Sequence, residues 1–554
     1  MTRMTGGAAI VKSLRQYGVD TMFGIPGVQL DHFFNALHDE GNSIRFIQNR
    51  HEQGGGYMAF GYAASSGKVG AYAVVPGPGF LNSSGALCTA YACNAPVLCI
   101  TGQVGTNMID RHAGTHHEIE DQLGIIRKLT KWADRIEHPA DAPQAVETAF
   151  RELRSGRIRP VGLESAPDVL ARSAEVQLRD AVPAPAALEP DPDLIEAAAK
   201  LLGGAENPLI LSGRGVFDAC EELLAVAEMV QAPVSMSRNG KGAVPSDHYL
   251  GVAESVGHKL YANADVVLAV GTRMYEQYYG WGVDKDVKII RIDVDPSEVA
   301  RSGKPAIGIA ADAKLALAAL ANALPNHNRK RVPRRDDLLA AKAGLQVEFE
   351  KLSPQWDYIS VLREELPRDG FVVGESTQMA YMARIGMPFY SPRSYVSPGY
   401  QGTLGYGFPT SLGVKVANPD KEVVSISGDG GFLFGGSELS TAVQHRIGSV
   451  TLVFNDGAYG NVKRSQVHKY GGRVIGTDLH NPDFVKYAES FGAQGLRATN
   501  PEELRAALKQ SFGRDLPTLI EIPVGELPSP WHLMHLPQVR GKPPGRVSDP
   551  PLHV

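Results

Sequence analysis

The sequence predicts an α/β protein of three doubly wound domains with mainly parallel sheets. Two observations predict it. Short apolar runs alternate with helix-periodic stretches from end to end, the pattern of strands joined by crossover helices. The alternation stops at two segments rich in proline and charge, SAPDVLARSAEVQLRDAVPAPAALEPDPD from Ser165 to Asp193 and LPNHNRKRVPRRDD from Leu324 to Asp337. These read as linkers and cut the 554 residues into thirds.

The elements follow in chain order. Strands at Ile44–Gln48, Ala71–Val75 and Val97–Thr101 belong to a first domain, residues 1–170. Pro208–Leu211, Val266–Val270 and Lys288–Ile292 build a second, residues 190–325. Phe371–Gly374, Val423–Ser427 and Val450–Asn455 build a third, residues 350–530. Residues 531–554 form a tail. The stretch from Gly525 is too rich in proline for a core helix, yet it carries Trp531, Leu533, Met534 and Leu536. It either docks over a surface or a site, or ends as a loose terminus.

Composition excludes several partners. A net charge of -5, with 43% hydrophobic and 21% charged residues, gives no electrostatic reason to bind nucleic acid or an anionic membrane. Cys88, Cys93, Cys99 and Cys220 form no CxxC pair and sit among apolar residues, so they read as reduced core thiols. The N-terminus MTRMTGGAAIVKSL lacks a long apolar stretch with a cleavage site, and no run of about 18 apolar residues occurs elsewhere. The expectation is a cytoplasmic protein.

The chemistry concentrates in SISGDGGFLFGGSELSTAVQHRIGSVTLVFNDGAYG, Ser425 to Gly460. An apolar run meeting a glycine-rich turn and then a helix is the start of a phosphate-cradling loop. The Rossmann fingerprint fails, because its sixth position, counted from Gly428, is Leu433. A Walker loop fails because no Gly-Lys pair is followed by Ser or Thr. What remains is an acidic centre, Asp429, where a phosphate would be repelled. A hard divalent cation such as Mg²⁺ resolves the conflict by accepting oxygens from both. Asn455 and a backbone carbonyl near Gly457 are the further oxygen donors that such a cation needs.

GDG on one strand end and NDGAYG on the next resemble the cofactor motif of the thiamine diphosphate-dependent enzymes, the superfamily of acetolactate synthase, pyruvate decarboxylase and benzaldehyde lyase. The resemblance runs from Thr5 to about Val524. It implies thiamine diphosphate and Mg²⁺ as cofactors, with the metal on Asp429, Asn455 and Gly457. Gly428, Gly430, Gly431, Ala458 and Tyr459 then border the diphosphate. It implies an aminopyrimidine-binding first domain, a middle domain and a diphosphate-binding third domain. In this family the first domain of one subunit meets the third of another, so a homodimer or homotetramer is expected.

Other segments extend the resemblance. IRFIQNRHEQGGG is similar to the family's strand–RHE–helix signature, which makes Glu52 the glutamate that exchanges a proton with the aminopyrimidine. Such a carboxyl must be shielded from water to donate near neutral pH. VVPGPGFLN resembles the Gly-Pro-Gly-x-x-Asn loop and brings Pro78 and Asn82 to the cofactor. It departs from the family pattern at Pro76, usually Ser or Thr, and at Phe80, alanine in many acetolactate synthases. VGESTQMAYMARIG contributes Gln378. In GTLGYGFP, the carbonyl of Gly402 and the amide of Leu404 would meet the aminopyrimidine, with the Leu404 side chain wedged between the cofactor rings.

The substrate end is less legible. In RHAGTHHEIEDQLGIIRKLTKWADRI, His117 or Glu118 falls nearest the position where acetolactate synthases and benzaldehyde lyases carry glutamine. Both are candidate catalytic groups, and a solvated polar loop is the alternative. The substrate pocket is assigned to Val28, Phe80, His116, His117 and Trp531, with Arg540 and Arg546 as candidates for catching an anionic substrate. The middle third resembles a domain that holds FAD in acetolactate synthases, but VAESVGHKLYANAD replaces the segment that faces the flavin. A structural middle domain is therefore preferred over an FAD site. The resemblance implies a C–C bond lyase or carboligase acting on a 2-oxo acid, an aldehyde or a 2-hydroxy ketone, acetolactate synthase-like. The alternatives are a 2-hydroxyacyl-coenzyme A lyase, a simple 2-oxo acid decarboxylase and a non-catalytic cofactor-binding regulator.

Overall fold

The structure, a computed structural model, describes residues 1–541. Three six-stranded parallel sheets follow one another along the chain. The first runs Arg45–Gln48, Thr21–Gly24, Gly70–Val74, Val97–Gly102, Val161–Ser165, Trp132–Ile136. The third runs Tyr395–Val396, Phe371–Gly374, Val423–Gly428, Val450–Asn455, Thr518–Pro523, Gln494–Arg497. Numbered within each domain, both orders are 2-1-3-4-6-5, so the two domains share one topology. The middle sheet has the order 3-2-1-4-5-6 and reverses direction between Pro208–Ser212 and Val266–Val270. Its central strands, like VLCITG at Val97–Gly102, are buried on both faces, which is why they read as continuous apolar runs.

The first and third domains meet through helices that occupy the same topological position. Helix Glu52–Ser66 is buried from Gly54 to Ser65 and lies on helix Gly407–Ala417. Backbones touch there. A Cβ on Gly61 would stand 2.1 Å from the Thr410 carbonyl oxygen, and one on Gly413 would stand 1.9 Å from that of Met58. Only small residues permit such an approach, which accounts for the Gly/Ala-rich sequence EQGGGYMAFGYAASS.

Both linkers are more structured than their composition implies. The first opens with helix Pro167–Ala171 and strand Ser173–Val176, which pairs antiparallel with Thr2–Thr5 and so closes the first domain. The second is pinned by Arg331, whose guanidinium donates to the carbonyls of Ala205, Leu202 and Gly203. The tail docks rather than hanging free over its described residues, 525–541. Its short helix Trp531–Met534 lies on the third domain, and the Pro537 carbonyl accepts from His258 Nε2 of the middle domain at 2.7 Å. Among the described residues, no helix is long and apolar enough to cross a membrane.

Candidate functional site

The first group of functional side chains gathers at the carboxyl end of the first sheet. Strand Arg45–Gln48 ends in a turn where His51 Nδ1 accepts the Gln53 amide at 3.2 Å, capping the helix that begins at Glu52. A carboxylate is favoured in that first turn. Asn82, on helix Pro78–Ala92, donates Nδ2 to Glu52 Oε2 at 3.0 Å, and the glutamate is half-buried. The third domain grips the same turn. Glu438 accepts the Arg50 amide at 3.1 Å, the His51 amide at 3.0 Å and the Thr441 hydroxyl at 2.6 Å.

His116 and His117 stack with ring centroids 3.8 Å apart. Burial, then the neighbouring His116, holds the His117 imidazole below its ordinary value, against the opposing pull of Glu52. The ring is thus neutral at pH 7, and its Nδ1 is buried without a hydrogen-bond partner. Gly77, at φ +58°, makes this loop possible, since a Cβ there would lie 2.5 Å from the His117 carbonyl oxygen. Gln122 holds the Gly77 amide at 2.8 Å, and Gln29 donates to the His116 carbonyl at 3.2 Å. Glu118 turns back on its own loop and accepts the Thr115 amide and hydroxyl at 2.9 and 2.8 Å, bonds that hold its carboxyl below the usual range.

The second group lies at the carboxyl end of the third sheet. Asp429 begins the helix after Val423–Gly428 and is buried, while Asn455 ends the adjacent strand. One nitrogen joins them: Asn481 Nδ2 is 2.5 Å from Asp429 Oδ2 and 2.9 Å from Asn455 Oδ1. Asp456 stands beside them, pushed up by burial and then by the Asp429 charge. A buried aspartate, Asp429, with the more exposed Asp456 and an amide oxygen beside it, is an oxygen-only donor set, the kind that suits a hard divalent cation. The Gly457 carbonyl accepts the Leu479 amide at 2.8 Å and has a second lone pair to offer. Tyr459 covers Gly430, where an added Cβ would meet its ring at 2.6 Å, and Ala458 bridges to Asp478.

This geometry has counterparts among known proteins. The family model for the N-terminal TPP binding domain of thiamine pyrophosphate enzymes matches residues 4–125, the central-domain model residues 195–320 and the C-terminal TPP binding model residues 373–522. The chain belongs to the thiamine pyrophosphate enzymes. Thiamine pyrophosphate is thiamine diphosphate under another name, so this enzyme's two side-chain groups stand in the two domains named for that cofactor. Over its whole length it is similar to a probable 2-ketoarginine decarboxylase from Pseudomonas aeruginosa, at 33% identity over 94% of each chain. It is also similar to a probable acetolactate synthase large subunit from Methanocaldococcus jannaschii, at 34% identity over 94% of this chain and 92% of the relative. The acetolactate synthase large subunit of Corynebacterium glutamicum is 32% identical over 96% of this chain and 88% of its own.

The remaining candidates of this thiamine pyrophosphate enzyme fall unevenly. Pro78 is exposed at the start of its helix, next to Glu52's partner Asn82. Gly402, at φ +59°, and the half-buried Leu404 sit on the loop before helix Gly407–Ala417. Gln378 donates to Asn461 Oδ1. Val28 is 64% exposed, open to a ligand or a partner. Two expectations need correction, at Phe80 and Arg540. Phe80 does not line a pocket: it is fully buried in the core shared by the first and third domains, because its side of the helix faces inward. Glu118 braces the histidine loop through Oε2, while its Oε1 is buried without a hydrogen-bond partner. Trp531 packs on Tyr381 at 5.0 Å and on His535 at 5.1 Å, which places it over helix Gln378–Gly386 of the third domain. Arg540 is buried, pairs with Asp284 at 3.1 Å and donates to the Tyr261 carbonyl, so it anchors the tail and cannot catch a substrate. Arg546 lies outside the described residues.

The middle domain is not a solid spacer. A cavity of about 1030 Å³ opens at the carboxyl ends of Pro208–Ser212 and Val266–Val270, where the sheet order reverses. That is where open α/β sheets bind ligands. Arg214, Arg238, Arg273, Arg384 and Arg393 line it. Burial pushes Arg214 down to about 10, and the charge of Arg384, then burial, does the same to Arg238. Cations crowded in this way favour an anionic occupant.

One residue was missed from the sequence. Glu375, at the end of strand Phe371–Gly374, is buried between the Gly402–Gly407 loop and Gly431; it accepts the Gly405 amide at 2.8 Å and its Oε2 has no hydrogen-bond partner. Burial pushes it up to about 7. Its folded value therefore exceeds the unfolded one. Between about pH 4.5 and 7 the folded state binds more protons, and stability falls as pH rises through that window. Glu375→Gln, which mimics the protonated form, is expected to gain about 1–3 kcal/mol over the parent at pH 8 and close to nothing at pH 4. Thermal melts at the two pH values check this.

Proposed function

We propose that this enzyme is a Mg²⁺-dependent C–C bond lyase and carboligase for a small 2-oxo acid, acetolactate synthase-like, working as a homodimer or larger. The observation that carries the proposal is the meeting of the Glu52–Asn82 pair with the His116–His117 stack, a carboxyl at a helix start beside a neutral imidazole. Thiamine diphosphate, when bound, supplies the carbon nucleophile and electron sink that C–C cleavage next to a carbonyl requires. Asp429, Asn455 and the Gly457 carbonyl would hold the Mg²⁺, Gly428, Gly430 and Gly431 would border the diphosphate, and Leu404 would separate the cofactor's two rings. Glu52 would exchange a proton with the cofactor, with Asn82 fixing its Oε2. His117, neutral at pH 7, takes a proton from, or gives one to, a substrate oxygen. By the family's usual arrangement, in which the first domain of one subunit meets the third of another, a second copy would complete the site. The arginine-lined cavity would take a nucleotide, flavin or otherwise, and four unpaired cysteines suit a cytoplasmic setting.

A second reading is simple 2-oxo acid decarboxylation. Similarity to a probable 2-ketoarginine decarboxylase favours it. The test incubates the protein with thiamine diphosphate and Mg²⁺ and with pyruvate, a guanidino 2-oxo acid, benzoin or a 2-hydroxyacyl thioester in turn. Products are followed by mass spectrometry, and released nucleotide is read by absorbance after denaturation. A 2-hydroxy-2-methyl-3-oxo acid from pyruvate supports ligation, and an aldehyde alone supports the second reading. Benzoin cleavage without turnover of any 2-oxo acid overturns both.

A further inference from the structure

Asp429 and Asn455 share a third side chain. Asn481, in the segment DLHNPDF, sets its Nδ2 against both of their oxygens. Its own carbonyl oxygen, Oδ1, is buried and has no hydrogen-bond partner. Asn455 is not able to turn, because its Nδ2 donates to Glu521 Oε1 at 2.8 Å, and Arg497 Nε holds the other Glu521 oxygen at 2.9 Å. Two oxygens are thus fixed in place beside an amide whose ends are nearly equal in shape. A half-turn about its last side-chain bond would exchange nitrogen for oxygen, and an oxygen so placed would join the other two.

We propose that Asn481 is a further residue of the cation site, able to present either end of its amide. The nitrogen holds Asp429 and Asn455 together, and the oxygen ligates the divalent ion. Three side-chain oxygens then face a hard cation that takes six ligands or more. The inference rests on the reading of Asp429 and Asn455 as metal ligands.

The test uses Mn²⁺ as the probe, on the full chain with thiamine diphosphate. Free Mn²⁺ is read by electron paramagnetic resonance, and melting temperatures are taken with and without the ion. The parent and Asp429→Asn are the controls. Asn481→Ala is expected to weaken Mn²⁺ binding about 10-fold or more. Asn481→Asp, which offers oxygen at either end, is expected to bind at least as tightly as the parent. It should also melt lower without the ion, from repulsion by Asp429 and Asp456, and gain more on adding it. Equal weakening by both variants overturns the ligand role, as does unchanged binding in both. Parent protein that takes up no Mn²⁺, or the same amount as Asp429→Asn, overturns the cation site itself.

Discussion

Glu52→Gln is expected to stop exchange of the cofactor's C2 proton and to lower turnover by about 10²–10⁴-fold, the usual contribution of a positioned proton-transfer group. The reason is positional as well as chemical. Glu52 is the first residue of a buried helix, its Oε2 is tied to Asn82, and its turn is gripped by Glu438 from another domain. The amide variant keeps the shape and the Asn82 contact but has no proton to exchange. Binding of cofactor and Mg²⁺, which depends on the third domain, should survive within a few-fold. Proton exchange followed by NMR in the loaded variant checks the first part, and a cofactor titration the second. Unchanged exchange would remove Glu52 from its role.

Asp429→Asn should have the opposite signature, losing cofactor while leaving the fold intact. Asp429 supplies the charge that a divalent cation needs, and even outer partners of metal ligands are worth 10–100-fold in affinity. The apparent Kd for thiamine diphosphate at fixed Mg²⁺ is expected to rise by more than about 100-fold. Removing the charge also relieves Asp456, which Asp429 pushes up, so the unloaded variant should melt no lower than the parent. The stabilisation conferred by cofactor and Mg²⁺ should disappear, since a ligand stabilises only in proportion to its occupancy. Melting curves with and without both ligands read the two effects together.

Much of this site was legible because its parts are local. GDG, NDGAYG and RHE each place a side chain at a strand end or helix start within a few residues, and alternation alone located strands in every sheet. What was hidden depends on contacts between distant segments. Asn481 lies 52 residues beyond Asp429 and 26 beyond Asn455, in a stretch with no glycine signature. Glu375 stands in a segment that was recognised, but only its burial distinguishes it from an ordinary polar strand end. Phe80 follows a recognised loop, yet which way a helix turns its side chains is decided by the neighbouring sheet. Strand Ser173–Val176 was hidden in a linker because its partner, Thr2–Thr5, stands at the other end of the domain.

The backbone contact between helices Glu52–Ser66 and Gly407–Ala417 has a mechanical consequence. At Gly61 and Gly413 no side chain lies between the two main chains to slide or change rotamer, so the angle between the first and third domains is set by hard repulsion. The pair moves as one rigid block. Adjustment to a ligand is then left to what is attached around it: the segment carrying Asn481, the histidine loop and the docked tail.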